Sequence, residues 1–226
     1  MNARKLMHEY RHNYPNAPDE DDSDDENEML NVQFQRGEIK SRPERFASTV
    51  HEMHGWTGNM KVLEKHHTYI QWLFPTRELG TNEFAHKLTA KEARILQDDA
   101  ECRKNILQSY EMMLHFYGLA LIDRETGAVE PLADPRLQFR NLVRNGHNWR
   151  RLTRIFKSLG ELGFEHFKLP LLRLLLKLAC TGQQPLKPLQ RPLINYWALT
   201  LRNRDEFETF QIEIQQHIKR HSIDTF

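Results

Sequence analysis

At 226 residues, 39% of them hydrophobic and 28% charged, the chain is long enough to bury a core in one domain. Two cysteines, Cys102 and Cys180, exclude a disulfide scaffold and read as reduced core residues. The formal net charge of +1 conceals an asymmetry: residues 1–29 hold nine acids and three bases, leaving 29 bases and 22 acids in the rest. That imbalance points to anionic partners, or to a tail that competes with them. The polar start lacks the apolar stretch of a signal peptide. The longest apolar run, Leu169 to Ala179, is interrupted by Arg173 and Lys177 and is too short to span a bilayer.

In chain order, Met1 to Tyr14 suits a short helix stopped by Pro15. Within it His8, Glu9 and His12 spell HEYRH, the spacing of a zinc-protease helix. Pro15 ends that helix within a turn of His12, so the match reads as coincidence and no metal or other cofactor is expected. The acidic run Asp19 to Glu28 repels itself and lacks apolar residues, which predicts disorder. Leu30 to Phe46 alternates weakly and reads as an extended or looped entry. Thr49 to Gly55 forms a short helix. Met60 to Phe74 reads as one helix ended by Pro75, with Val62, Leu63, His66, Tyr69, Ile70 and Leu73 at core spacing. The aromatics of HHTYIQWLFP serve either as core or as a ligand-lining wall.

Arg77 to Lys87 is a loop. Thr89 with Glu92 makes a capping box opening a long helix to Tyr117, where Gly118 stops it. Leu119 to Ile122 and Ala128 to Leu132 form a hairpin around the turn residues Asp123 to Gly127. A helix from Asp134 or Pro135 to Asn145 follows. From His147 the apolar side carries Trp149, Leu152, Ile155, Phe156 and Leu159, and the helix ends at Gly160 to Gly163. Leu169 to Ala179 is apolar nearly all round and reads as a buried helix, with Pro170 in its first turn. After a proline-rich loop, Leu193 to Leu201 and Phe207 to Ile218 supply one or two final helices. The expected fold is mainly α: a single multi-helix bundle over residues 30–221, preceded by a disordered acidic tail over residues 1–29.

Two surfaces qualify for function. No acid lies between Arg136 and Lys157, and Arg140, Arg144, Arg150, Arg151, Arg154 and Lys157 recur at spacings that reach one phosphate backbone or acidic partner. The second is aromatic. No glycine-rich phosphate loop, nucleophile elbow or metal-ligand array appears, and His66 and His67 project about 100° apart on a helix. The expectation is a binding protein, not an enzyme.

The segments HHTYIQWLFPTRELGTN, SYEMMLHFYGL and NWRRLTRIFKSLGELGFEHF closely resemble the conserved region of the opioid growth factor receptor family. The likeness begins at YRHNYP (Tyr10 to Pro15), resumes at NVQFQRGEIKSRP (Asn31 to Pro43) and extends to LINYWALTLRNR (Leu193 to Arg204). It implies a soluble helical protein unrelated to the seven-helix opioid receptors. Such a protein is expected to bind methionine-enkephalin, reside in the nucleus, perinuclear region or cytoplasm, and restrain proliferation. For such a peptide Glu64 suits the amine, Tyr69, Trp72 and Trp149 the rings, and Arg150 the far end. The chain is expected to depart from the vertebrate receptor in two ways, without its long repeat-bearing C-terminal region and with the acidic run after rather than before YRHNYP. The alternative is an anion-binding module, for nucleic acid or an acidic or phosphorylated protein, acting through the basic helix face.

Overall fold

The computed structural model describes residues 29–78, 80, 82, 84–180 and 186–223, together with Lys5, Met7 and Tyr10. HEYRH, through His8, Glu9 and His12, and the acidic run Asp19 to Glu28 lie outside the described residues. The described chain is mainly helical, as expected. In order come α1 Leu30–Gln35, a 3-10 turn Glu44–Phe46, α2 Val50–His54, α3 Met60–Lys65, α4 Tyr69–Leu73, α5 Ala90–Asp98 and α6 Ala100–Phe116. Then follow β1 Leu119–Leu121, β2 Val129–Pro131, α7 Arg136–Arg144, α8 His147–Glu161 and α9 Lys168–Cys180. A continuous helical run over residues 187–200 includes a π-helical stretch, Leu193–Trp197, and α10 is Arg204–Ile223. Among the described residues no helix is long and apolar enough to cross a membrane.

Contacts divide the chain into two compact units. The first holds α1 to α6 and the segment Lys157–Gly163. Its core gathers Phe34, Val50, Leu63, Leu73, Phe74, Leu96, Ile106 and Met113. Capping boxes start α2 and α5: Thr49 and Thr89 each exchange hydrogen bonds with the glutamate three residues on, Glu52 and Glu92, which satisfies backbone N–H groups left free at a helix start.

Three expectations are corrected here. Leu30 to Phe46 is not merely extended: α1 is buried on nearly every side, and its polar members find partners inside. Asn31 donates to Glu92 at 2.9 Å, and Gln35 to the carbonyls of Trp72 and Leu73. The expected helix from Thr89 to Tyr117 breaks at Asp99, whose backbone is extended. Its carboxylate accepts from Cys102 N–H at 2.9 Å and from Arg36 at 2.7 Å, so α6 starts afresh with Asp99 as its cap. These two bonds, the backbone one foremost, hold the Asp99 carboxyl down to about 2. Likewise Met60 to Phe74 is two helices, parted where His66 turns extended.

The second unit takes Tyr117–Phe156, Phe164–Phe226 and the described residues of Met1–Ala17. The expected hairpin is present, antiparallel, with Leu119 opposite Pro131 and Leu121 opposite Val129. Asp123 Oδ1 accepts from Glu125 N–H at 2.8 Å inside the turn, and Gly127 closes it at φ +74°. A side chain there would meet the Phe167 backbone, its Cα 2.9 Å from an added Cβ. On α8 Leu152, Ile155 and Phe156 face inward, and the Trp197 indole N–H donates to the Trp149 carbonyl at 3.2 Å. In α9 Leu171, Leu172, Leu175 and Leu176 are buried, while Arg173 reaches Glu213 of α10 at 2.6 Å. Lys168 is fully buried; its ammonium pairs with Glu165 at 2.7 Å and donates to the Thr200 carbonyl at 2.8 Å. Met7 and Tyr10 pack on Leu199 with Tyr196 and Phe207.

Candidate functional site

The residues proposed from sequence divide between the units: Glu64, Tyr69 and Trp72 belong to the first, Trp149 and Arg150 to the second. Tyr69 and Trp72 are each 1% exposed. The Tyr69 hydroxyl donates to the Leu63 carbonyl at 3.1 Å, and the Trp72 indole N–H to the Arg42 carbonyl at 3.3 Å. Both are core side chains with their polar tips satisfied inside, so neither offers a surface to a ligand. Glu64 is half-buried on α3. Trp149 is half-buried, its indole N–H donating to the Leu142 carbonyl at 2.9 Å, and Arg150 is exposed.

What does reach solvent is a row of rings that ends on Tyr69. The Trp56 ring stands perpendicular to Tyr69 at 5.9 Å, and His66 stacks on Trp56 at 5.3 Å, 23° from parallel. Phe46 meets His66 edge-on at 5.4 Å, and the Arg45 guanidinium lies 5.0 Å from the centre of the Phe46 ring. Trp56 and His66 are half-buried and Phe46 is 39% exposed. These are favourable ring-to-ring and cation-to-ring separations, and the row passes from the core outward. Three local events build it. The 3-10 turn Glu44–Phe46 lifts Phe46, Trp56 follows the end of α2, and the extended His66 leaves α3 to lie on Trp56. Glu44 and Arg45, exposed and adjacent, set charges of both signs beside the rings.

Phe46 and Trp56 carry no signal of their own in the sequence, because each stands apart from any apolar periodicity. The signal available was the density of aromatics and histidines between Phe46 and Trp72. The arrangement presents flat π-faces and ring edges, with a cation and a carboxylate at one margin.

The basic residues are partly reassigned. Arg140, Arg144 and Arg150 are exposed, and none has an ion-pair partner among the described residues; Arg154 is half-buried. Arg151 is only 5% exposed, against the expectation that it lies on the outer side of α8. The buried arc of α8 extends round to Asn148 and Ser158, and Arg151 donates to Asn148 Oδ1 at 3.1 Å. Lys157 belongs to the first unit and is held by Glu78 at 2.6 Å. Both cysteines are buried and free. Burial, with Asp99 second, pushes the Cys102 thiol up to about 12, and burial also raises that of Cys180. Among the described residues no group of three or more histidines, cysteines or carboxylates could hold a metal.

Comparison with known proteins shows one family. The model described as the opioid growth factor receptor (OGFr) conserved region matches residues 24–223. The opioid growth factor receptor of Mus musculus is 40% identical over 204 residues, covering 90% of this chain and 31% of that protein. That of Homo sapiens is 38% identical over 205 residues, 90% of this chain and 29% of the other. The opioid growth factor receptor-like protein 1 of Mus musculus is 36% identical over 216 residues, 95% and 45% respectively. The chain thus spans less than half the length of these relatives. No solved structure matches it.

Proposed function

Because the chain belongs to the opioid growth factor receptor family, we propose that it is a regulatory binding protein for an enkephalin-type peptide, taken on the open end of the aromatic row. Such a peptide brings two aromatic rings, a thioether, an amine and a carboxylate. The observation that carries the reading is the accessible group Phe46, Trp56 and His66, with Arg45 and Glu44 beside it. The rings supply stacking partners, Arg45 suits the peptide carboxylate, and Glu44 or Glu64 suits the amine. On this reading the protein acts by binding and not by catalysis. Its setting is the nucleus or its surroundings, and its effect is restraint of growth.

Calorimetric titration with methionine-enkephalin, against a scrambled peptide of the same composition, tests it. Saturable heat is expected for the native order alone. Removing one ring with Phe46→Ala should weaken binding by about 1 kcal/mol, or about fivefold. Equal heats for both peptides would remove the reading.

A further inference from the structure

We propose that the outward strip of α7 docks an acidic amphipathic helix of a partner protein. At about 100° per residue, Arg136, Leu137, Arg140 and Arg144 fall within one arc of about 100°. All four are exposed, while Phe139 and Leu142 on the opposite side are buried, which fixes the orientation of the helix. Arg136 is neutralised by Asp134, two bonds of 2.7 Å joining guanidinium and carboxylate. Arg140 and Arg144 have no ion-pair partner among the described residues. They stand one turn apart, a rise of about 6 Å, which matches carboxylates four residues apart on a facing helix.

Leu137 separates this strip from a plain cationic surface. It is 62% exposed, the most open of the large hydrophobic side chains in the described structure. A single exposed leucine is ordinary on a protein surface. Set beside Arg140 and Arg144, away from the Asp134 carboxylate that occupies Arg136, it supplies an apolar anchor for the apolar side of an amphipathic helix. A phosphodiester backbone uses the arginines alone and leaves Leu137 without a partner. An acidic helix bearing an apolar residue uses both, so the charge and apolar pattern together favour it over nucleic acid. The strip lies wholly in the second unit, so the proposal is independent of the enkephalin reading.

The probe is a fluorescein-labelled helical peptide of about five turns, with glutamate at every fourth position beside leucine. Its controls are a scrambled peptide and a labelled single-stranded oligonucleotide, read by anisotropy at low and moderate salt. The probe should bind saturably and more tightly than the scrambled control. The charge reversal R140E/R144E should weaken it by about tenfold or more, and Leu137→Ser by about threefold. Both variants change exposed side chains, and unchanged circular dichroism confirms that they fold. Equal binding of the two peptides, or no binding of either at low salt, overturns the proposal. So does an oligonucleotide that outbinds the probe while Leu137→Ser changes nothing; that result would make the strip a nucleic-acid surface.

Discussion

His54, at the end of α2, is the basis of a sharp test of the first unit's interior. Its Nε2 lies 2.9 Å from Ser109 Oγ, and that hydroxyl donates to the Asn105 carbonyl at 2.9 Å. The hydroxyl proton is therefore committed, and the neutral imidazole must donate Nε2–H to Ser109. Asn105 donates onward to the Gln35 carbonyl at 2.8 Å, and Gln35 to the Trp72 carbonyl at 3.0 Å. Charging His54 would place a cation in this buried chain. Burial first, then the neighbouring His51, pushes its titration down to about 4 from the usual 6.5.

The sign of the effect follows from proton counting. Between pH 6.5 and 4 the unfolded chain holds a proton at this site and the folded one does not, so stability falls as pH falls. With those two values the loss is about 2 kcal/mol at pH 5 and about 3 kcal/mol at pH 4. The same comparison in His54→Gln removes this contribution while leaving the other histidines in place. Urea unfolding of wild type and variant, read by tryptophan fluorescence, gives both stabilities. The wild type should lose about 2 kcal/mol more than the variant between pH 7 and pH 5. Parallel pH profiles, differing by a constant offset, would refute the argument that His54 is held neutral by burial.

Other perturbations probe other contacts. Lys168→Met keeps the side-chain bulk but leaves Glu165 and the Thr200 carbonyl without the ammonium. A loss of about 3 kcal/mol is expected in chemical unfolding, and a loss below about 1 kcal/mol would mean that the pair contributes little. Gly127→Ala combines φ +74° with a Cβ 2.7 Å from the Phe167 ring, so a thermal melt should show a cost of about 2 kcal/mol or more. A neutral result would show that the hairpin turn is free to move. Asp99→Ala removes the cap of α6 and the partner of Arg36. It should cost about 1–2 kcal/mol, with faster hydrogen exchange in the first turn of α6; unchanged exchange there contradicts the capping role.

The parts of the fold legible in the sequence are those set by near neighbours. The Thr89–Glu92 box, the Asp123 turn with Gly127, the ends of α7 and the apolar side of α8 each depend on residues within a turn or two. The break at Asp99 combines a local cap, on the Cys102 N–H three residues on, with Arg36 reaching it from 63 residues away; the break at His66 depends on Trp56, which supplies the ring on which His66 lies. α1 escaped because a helix buried on nearly all sides shows no polar stripe. In the site, Tyr69 and Trp72 stood out as aromatics in a helical pattern, and that same pattern marks a core. Phe46 and Trp56 became neighbours of His66 only once the chain folded back on itself. Arg151 looked external because helical angle alone does not reveal how wide a buried arc is.

The four tryptophans offer a direct test of the aromatic surface through their indole N–H resonances. On titration with methionine-enkephalin, the Trp56 signal should move saturably together with the His66 ring protons. The Trp72 and Trp197 indoles, buried and bonded to the carbonyls of Arg42 and Trp149, should stay in place. A peptide that shifts Trp149 alone, or leaves Trp56 unmoved at saturation, would contradict binding at Phe46, Trp56 and His66.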